Sequence, residues 1–232
     1  MIYRLSRPNG SGTTSYSYDR NAGPCWTDMG VSPQEYHEHF EEIPLPRNWK
    51  HCSIYKAPIL AEWRLAINLI IEVDKRDPDF EAPDIRVADF TYVSDKVKAI
   101  IEEVDPFGHQ FWPADLVDGR GAPITNKTYY RMNMRRYVTI EPSDLPLNRL
   151  DFTPATGEFE WGVIAAIQHN PELRRNIETL PMWRHMTRGQ SINDNVLYFN
   201  ETLFNALTSA GVTGIKEYTE KSGKTWESVA HV

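Results

Sequence analysis

The sequence predicts an α+β protein with mixed, mostly antiparallel sheets and a few short amphipathic helices. Three observations predict this class. Alternating apolar residues indicate strands, capped apolar stripes indicate helices, and Pro44, Pro46 and Pro58 make long helices improbable in the first third of the chain. With 232 residues the chain is long enough to bury a substantial core. We expect a single domain spanning 1–232, with a loop-rich N-terminal part over 1–60.

The predicted strands follow apolar alternation and β-branched residues. "IYRLS" (2–6) is a candidate first strand, and the Gly-, Ser- and Pro-rich residues after it indicate a surface loop. In "LAINLIIEV" (65–73) apolar residues recur at every second position. Further strands are predicted within "TYYRMNMRRYVTI" (128–140) and at "FEWGVIAAI" (159–167).

Three helices are predicted, over 94–104, 170–180 and 200–210, each from a capping residue and an apolar face. Ser94 and Asn200 are suited to accept hydrogen bonds from the free N–H groups of a first turn, as is Asn170, which is followed by Pro171. Gly211 is placed where a helix commonly ends in a left-handed residue. A glycine and a further strand, "HQFW" or "IKEY", follow the first and third helices.

The first and third of these helices belong to similar segments, "DFTYVSDKVKAIIEEV" (89–104) and "NVLYFNETLFNALTSA" (195–210). Tyr92 corresponds to Tyr198 and Ser94 to Asn200, 106 residues later (94 + 106 = 200). Any capped amphipathic helix shares this pattern, so duplication and coincidence both stay open.

Composition indicates a folded protein and argues against several classes. Hydrophobic residues make up 41% of the chain, and the formal net charge is −7, which argues against direct nucleic-acid binding. The two cysteines, Cys25 and Cys52, fit neither a zinc motif nor a disulfide framework. No apolar signal sequence or membrane-spanning stretch is evident, so we expect a cytoplasmic protein.

The best metal candidate is "YHEHFEE" (36–42), where His37 and His39 would share one face of a strand beside Glu38 or Glu41. A third ligand does not stand out, and an exposed polar segment is the simpler interpretation. We therefore expect no metal or other cofactor, and a hydrolase using His37 and His39 stays as an alternative.

Catalytic patterns are not evident. Glu102–Glu103 and Glu158–Glu160 are carboxylate pairs, but both are predicted to be solvated charges. No GxSxG, Walker A or GxGxxG motif occurs, and "DGRGAP" (118–123) indicates a turn. We expect no catalytic residue and no enzymatic activity.

Acidic residues cluster at 72–84 and 102–105, and the aromatic residues Trp63, Phe80, Phe90 and Tyr92 are close in sequence. The combination is typical of protein interfaces with an aromatic anchor and a charged rim, and a solvated loop beside ordinary core aromatics is the simpler interpretation. The candidate partner-binding residues are Trp63, Asp74, Asp77, Asp79, Glu81, Asp84, Glu102 and Glu103.

The segment "DIRVADFTYVSDKVKAIIEEVDPFGHQFWPADL" and the later "YYRMNMRRY" resemble immunity-protein family eleven of bacterial polymorphic toxin systems, formerly a domain of unknown function. The matching pieces are Val93-Ser94 before the helix, Phe111-Trp112-Pro113, and Tyr129-Tyr130 with Asn133. Trp183-Arg184, the helix after Asn200 and the "GVTG" of 211–214 resemble its C-terminal part. The family-like core would cover 84–217, and residues 7–60 have no counterpart.

The resemblance implies an immunity protein that binds a cognate toxin and blocks it by occlusion. Such toxins are often basic nucleases, and an acidic inhibitor is compatible with them. A non-neutralising adaptor for a secreted effector is a further alternative. The resemblance carries no catalytic residues, so it assigns none here.

Overall fold

A computed structural model of the chain describes residues 1–6, 14–17, 38–59, 68–71, 81–87, 91–118, 120–140, 159–186, 196–215 and 229–231. In these ranges the chain folds into three β-sheets and four short helices, an α+β architecture as predicted.

The largest sheet has seven strands, and its centre combines segments from both ends of the chain. The strands are, in spatial order, β14 (Val229–His231), β1 (Ile2–Ser6), β13 (Val196–Asn200), β12 (Met182–His185), β11 (Arg136–Ile140), β4 (Cys52–Lys56) and β3 (Glu41–Glu42). Only β11 and β12 pair in parallel, and the other neighbours are antiparallel.

Two smaller sheets complete the β-structure. A four-stranded antiparallel sheet has the order β6 (Ile85–Arg86), β7 (Thr91–Ser94), β10 (Tyr129–Asn133) and β8 (Gln110–Ala114). A three-stranded sheet joins β2 (Thr14–Ser17), β5 (Asn68–Ile71) and β9 (Leu116–Val117), with β5 and β9 parallel.

The helices are α1 (Asp95–Val104), α2 (Phe159–His169), α3 (Pro171–Ile177) and α4 (Glu201–Ser209). Three begin at the predicted caps. The Ser94 hydroxyl accepts a hydrogen bond from the Val97 N–H, the Asn200 side chain accepts one from Leu203, and Asn170 caps α3. Gly211 has the left-handed conformation expected of a helix end, with φ of 63°.

The seven-stranded sheet lies between two apolar cores. Along β13, Leu197 and Phe199 contribute to the first core, whereas Val196 and Tyr198 contribute to the second. The first core contains the buried faces of α1 and α4 together with residues of the four-stranded sheet, and the second contains those of α2 and α3. The helices of the two similar segments thus lie on the same side of this sheet, and α1 contacts α4.

The strand predicted at 159–167 is wrong, because these residues belong to α2. Val163, Ala166 and Ile167 are buried at helical spacing, and a short apolar run does not by itself distinguish a buried helix from a buried strand. Glu160 accordingly lies in a helix, while Glu158 is outside the described residues. The 128–140 stretch is β-structure as predicted, but it divides into β10 and β11 in different sheets.

The remaining predictions concern the N-terminal part and the shorter strands. The strand at 2–6 is confirmed, and "CSIYK" (52–56) is a strand that was not predicted. Of the predicted 65–73 strand the structure describes Asn68–Ile71, and "HQFW" is confirmed by β8. The "IKEY" strand lies almost wholly outside the described residues. Over the described residues, no helix combines the length and the apolar character that crossing a bilayer requires.

Candidate functional site

The structure separates the predicted partner-binding residues into three groups. Trp63, Asp74, Asp77 and Asp79 lie outside the described residues. Glu81, Glu102 and Glu103 are exposed, whereas Asp84 is buried, at 4% exposure.

Asp84 is a structural residue, which corrects its assignment to a charged rim. Its Oδ2 accepts hydrogen bonds from the N–H and the hydroxyl of Thr213, both at 2.9 Å, and its Oδ1 accepts one from Lys127 Nζ at 3.0 Å. Burial alone would raise the pKa of Asp84, but these hydrogen bonds and the Lys127 charge outweigh it and lower that pKa. A carboxylate occupied in this way is not available to a partner.

Glu102 and Glu103 lie in the last turn of α1, where the carbonyl end of the helix disfavours negative charge and no basic residue compensates within that turn. Lys98 Nζ lies 2.7 Å from Glu102 and thus offsets one of the two charges. The Glu103 carboxylate makes no ion pair or hydrogen bond with the described residues and is a solvent-exposed charge, as predicted.

Near this end of α1, Arg135 bridges two segments, residues 57–59 after β4 and the turn 106–108. Ile59 is 66% exposed and, with Met1, is one of two large exposed apolar residues in the described part of the chain. Pro106 is exposed and Phe107 half-buried. Lys56 Nζ and Arg136 Cζ lie 5.1 and 4.0 Å from the Phe107 ring centroid.

Arg135 holds these two segments together. Its Nε donates a hydrogen bond to the Ala57 carbonyl and its Nη1 donates one to the Gly108 carbonyl, both at 2.9 Å. The Ala57 N–H also donates to the Arg135 carbonyl at 2.8 Å. We call this arrangement of Ala57, Gly108 and Arg135 the Arg135 junction.

A buried ionic network of Asp105, His109 and Arg136 is hydrogen-bonded to Arg135. Arg136 donates two hydrogen bonds to the Asp105 carboxylate, at 2.5 and 2.7 Å, and a third to the Met182 carbonyl at 2.6 Å. His109 Nδ1 accepts a hydrogen bond from the Arg135 N–H at 3.1 Å, so Nε2 carries the proton and donates to Asp105 at 3.1 Å. The side chains of Asp105 and His109 are each 1% exposed.

The titration behaviour of this network matches a structural role. Burial alone would raise the pKa of Asp105, but the hydrogen bonds from His109 and Arg136 and the Arg136 charge hold it at about 2. Burial lowers the pKa of His109, which keeps the ring neutral. Both ring nitrogens and the carboxylate are occupied by fixed partners, so this His–Asp pair is not arranged to transfer a proton to a substrate.

Exposed acids also occur on strand β3, at one edge of the seven-stranded sheet. Glu41 lies opposite Lys56 in the register and Glu42 opposite Tyr55, and both glutamates are exposed. Because neighbouring residues of a strand point to opposite faces of the sheet, Glu41 shares the face of Lys56 and Glu42 does not.

Within the metal candidate at 36–42, Glu41–Glu42 form strand β3, but His39 lies before that strand and not in it. His39 is exposed in a turn and Glu38 is exposed, while His37 lies outside the described residues. No group of three or more His, Cys, Asp or Glu side chains suited to a metal ion occurs among the residues that the structure describes. Cys52 is buried, whereas Cys25 lies outside the described residues.

A cleft of about 380 Å³ lies between the β8–β9 connection and the turn at 121–128. Two polar side chains that line it are hydrogen-bonded within the fold. Lys127 bonds Asp84, and the Tyr129 hydroxyl donates to the Ala82 and Pro83 carbonyls at 2.9 and 3.0 Å. The predicted "DGRGAP" turn forms one side, with Asp118 accepting hydrogen bonds from the N–H groups of Arg120 and Ala122.

Sequence reasoning located the acids at the end of α1 but missed the Arg135 junction. Ala57 and Gly108 belong to different segments, 51 positions apart (108 − 57 = 51), and no local pattern pairs them. The one available signal was "DPFGH" (105–109), whose proline and glycine indicate a turn.

Comparison with protein-family models, with curated proteins and with solved structures gives no match for this chain.

Proposed function

We propose that this chain is a cytoplasmic immunity protein that binds a cognate bacterial toxin, of basic nuclease type, and neutralises it by occlusion. The sequence resemblance to immunity-protein family eleven supplies the class. The net charge of −7 and the exposed acids Glu102 and Glu103 at the end of α1 are compatible with capture of a basic protein.

The observation that carries the proposal is that the segments bearing the resemblance meet in one structural unit. The helices that begin after Ser94 and Asn200 pack on the same side of the seven-stranded sheet. The 211–214 segment bonds back to Asp84 at the start of the family-like core, through Thr213. Pattern residues far apart in sequence thus serve one fold, as members of a family pattern should.

Occlusion requires a rigid surface of adequate area. An interface of about 1,600 Å² suffices for nanomolar or tighter binding when a few anchors are well packed. In this protein Arg135 fixes the backbone at Ala57 and Gly108, next to the buried Asp105–Arg136 pair. Such preorganisation reduces the entropy lost on binding.

Toxicity rescue tests the proposal. The test partner is the C-terminal domain encoded by the reading frame adjacent to this chain's gene, expressed from an inducible promoter in a bacterial host. Co-expression of this chain should restore growth, and the purified proteins should form a complex. Binding without restored growth would favour the adaptor alternative, and absence of both would remove the immunity proposal.

Electrostatic capture adds a kinetic expectation. Association of the two purified proteins should slow as salt rises from about 50 to 300 mM, since screening shortens the range of charge attraction. Dissociation should change little, because it reports short-range contacts. An association rate indifferent to salt would remove the role of charge while leaving occlusion intact.

A further inference from the structure

We propose that the cleft between the β8–β9 connection and the turn at 121–128 receives a basic side chain of the toxin, whose cationic end contacts the Asp115 carboxylate. This inference rests on the proposed function and adds one contact site to it. The cleft has a volume of about 380 Å³, within the range of about 300–1,000 Å³ that is typical of pockets for small molecules. One long side chain therefore fits in it.

The cleft has an apolar floor and fixed walls. The floor consists of the buried lining residues Ala114, Leu116 and Val117. The Ile124 N–H donates a hydrogen bond to the Leu116 carbonyl at 3.1 Å, which joins the two walls through their backbones. Val117 also forms a β-bridge with Pro123. Preformed walls reduce the entropy that is lost when a side chain enters.

The charges around the cleft favour a cation. Asp115 lines the cleft and is exposed, and its carboxylate makes no ion pair or hydrogen bond with the described residues. Lys127, the cation of the lining, is paired with Asp84, whose Oδ1 lies 3.0 Å from Lys127 Nζ. In the adjoining turn the charge of Arg120 is offset by that of Asp118. Among the described residues, the uncompensated charge of the cleft is therefore negative.

Arginine and lysine side chains match both parts of this cleft. Each has an apolar stem that can pack on aliphatic side chains and a cationic end that can stay at the mouth. A guanidinium group can also donate two parallel hydrogen bonds to one carboxylate. A ligand that carries a carboxylate or a phosphate would instead be repelled by Asp115.

Two variants of Asp115 and a matched control test the contact with the toxin. Asp115→Asn removes the charge and keeps the side-chain shape, and Asp115→Lys reverses the charge. Glu42→Gln is the control, because it removes one exposed negative charge, as Asp115→Asn does, but from the edge of a different sheet. Urea unfolding should show that all three variants are folded.

Binding is measured with the same purified domain from the adjacent reading frame, by surface plasmon resonance. We expect Asp115→Asn to accelerate dissociation about tenfold, because a charge-assisted hydrogen bond is lost. Asp115→Lys should accelerate it further. Glu42→Gln should dissociate at the wild-type rate, since a charge outside the contact affects association more than dissociation.

A titration without the toxin tests the cleft by itself. Nα-acetyl-arginine amide at millimolar concentration should shift the backbone N–H signals of Leu116, Val117 and Gly121 in NMR spectra of the isotope-labelled protein. The neutral Nα-acetyl-glutamine amide should leave these signals unchanged. In Asp115→Asn the arginine compound should also leave them unchanged.

The outcomes separate this inference from the proposed function. If the wild type binds and rescues growth while Asp115→Asn dissociates like Glu42→Gln, the cleft is not a toxin contact and the immunity function stands. If the arginine compound shifts no signal in the wild type, or the same signals in Asp115→Asn, the cleft takes no cation at Asp115 and the inference is wrong. If the wild type neither binds nor rescues, the immunity function fails and the toxin contact fails with it.

Discussion

The carboxylate of Asp84 accepts hydrogen bonds from both the backbone N–H and the hydroxyl of Thr213, 129 residues later in the chain. Around it, the Asp84 N–H donates to the Thr213 hydroxyl, and the Ile85 N–H donates to the Thr213 carbonyl at 3.2 Å. The Ser94 N–H, at the cap of α1, donates to the Asp84 carbonyl at 2.7 Å. One residue therefore connects the end of the second strand-to-helix segment to the beginning of the first.

Replacing Thr213 by Val should destabilise the fold by about 1–2 kcal/mol, because the buried Asp84 carboxylate loses one donor while the side-chain shape is kept. Urea unfolding at pH 7 measures the change. Thr202→Val, on the exposed surface of α4, should stay within about 0.5 kcal/mol of the wild type. Equal stabilities of the two variants would contradict the Asp84–Thr213 connection.

Replacing Gly214 by Ala should be more damaging. Gly214 has φ of +89°, and a Cβ there would overlap the Ile85 carbonyl oxygen. Gly121 has a nearly equal φ of +82° with nothing within 4 Å of the added atom, so Gly121→Ala isolates the conformational cost of about 1 kcal/mol. We expect Gly214→Ala to cost about 3 kcal/mol or more by urea unfolding. A difference below about 0.5 kcal/mol between these variants would show that the close approach is absent.

Replacing Asp105 by Asn should cost about 3 kcal/mol, because Arg136 would keep its buried charge without the carboxylate that balances it. Thermal and urea unfolding report the loss. The exposed Asp115→Asn variant removes the same charge from the surface and should change stability by less than about 0.5 kcal/mol. If the two variants lost the same stability, the buried network of Asp105, His109 and Arg136 would not stabilise the fold.

Stability should fall as the pH is lowered from 7.5 to 5, and His185 should cause part of the loss. Burial lowers the pKa of His185 to about 4, so between pH 6.5 and 4 the unfolded chain binds a proton that the folded chain does not. The contribution is complete above pH 6.5 and about 2 kcal/mol smaller at pH 5. Lowering of the His109 pKa acts in the same direction.

The comparison uses urea unfolding at both pH values. His185→Gln cannot acquire the proton, so its stability should depend less steeply on pH than that of the wild type. His39→Gln, in an exposed turn, should retain the wild-type dependence. A wild-type slope in His185→Gln would exclude His185 as a source of the acid sensitivity.

Local chemistry in the sequence was sufficient to predict part of the fold. Ser94, Asn170 and Asn200 are helix caps because their side chains satisfy N–H groups within three residues, an interaction that depends on neighbours alone. The strand at 2–6 and the β-structure of 128–140 followed from residue type and alternation. The 159–167 segment did not, since its apolar run fits either structure and packing of Val163 and Ile167 in the second core selects a helix.

The sequence by itself determined the α+β class, the caps and the position of acids at the end of α1, because each depends on residues close together in the chain. Tertiary structure alone decided that the Asp84 carboxylate is buried and bonded by Thr213, and that Arg135 joins Ala57 to Gly108. Such relationships are set by which distant backbones the sheets and turns bring within hydrogen-bonding distance, a property that no local pattern of residues contains.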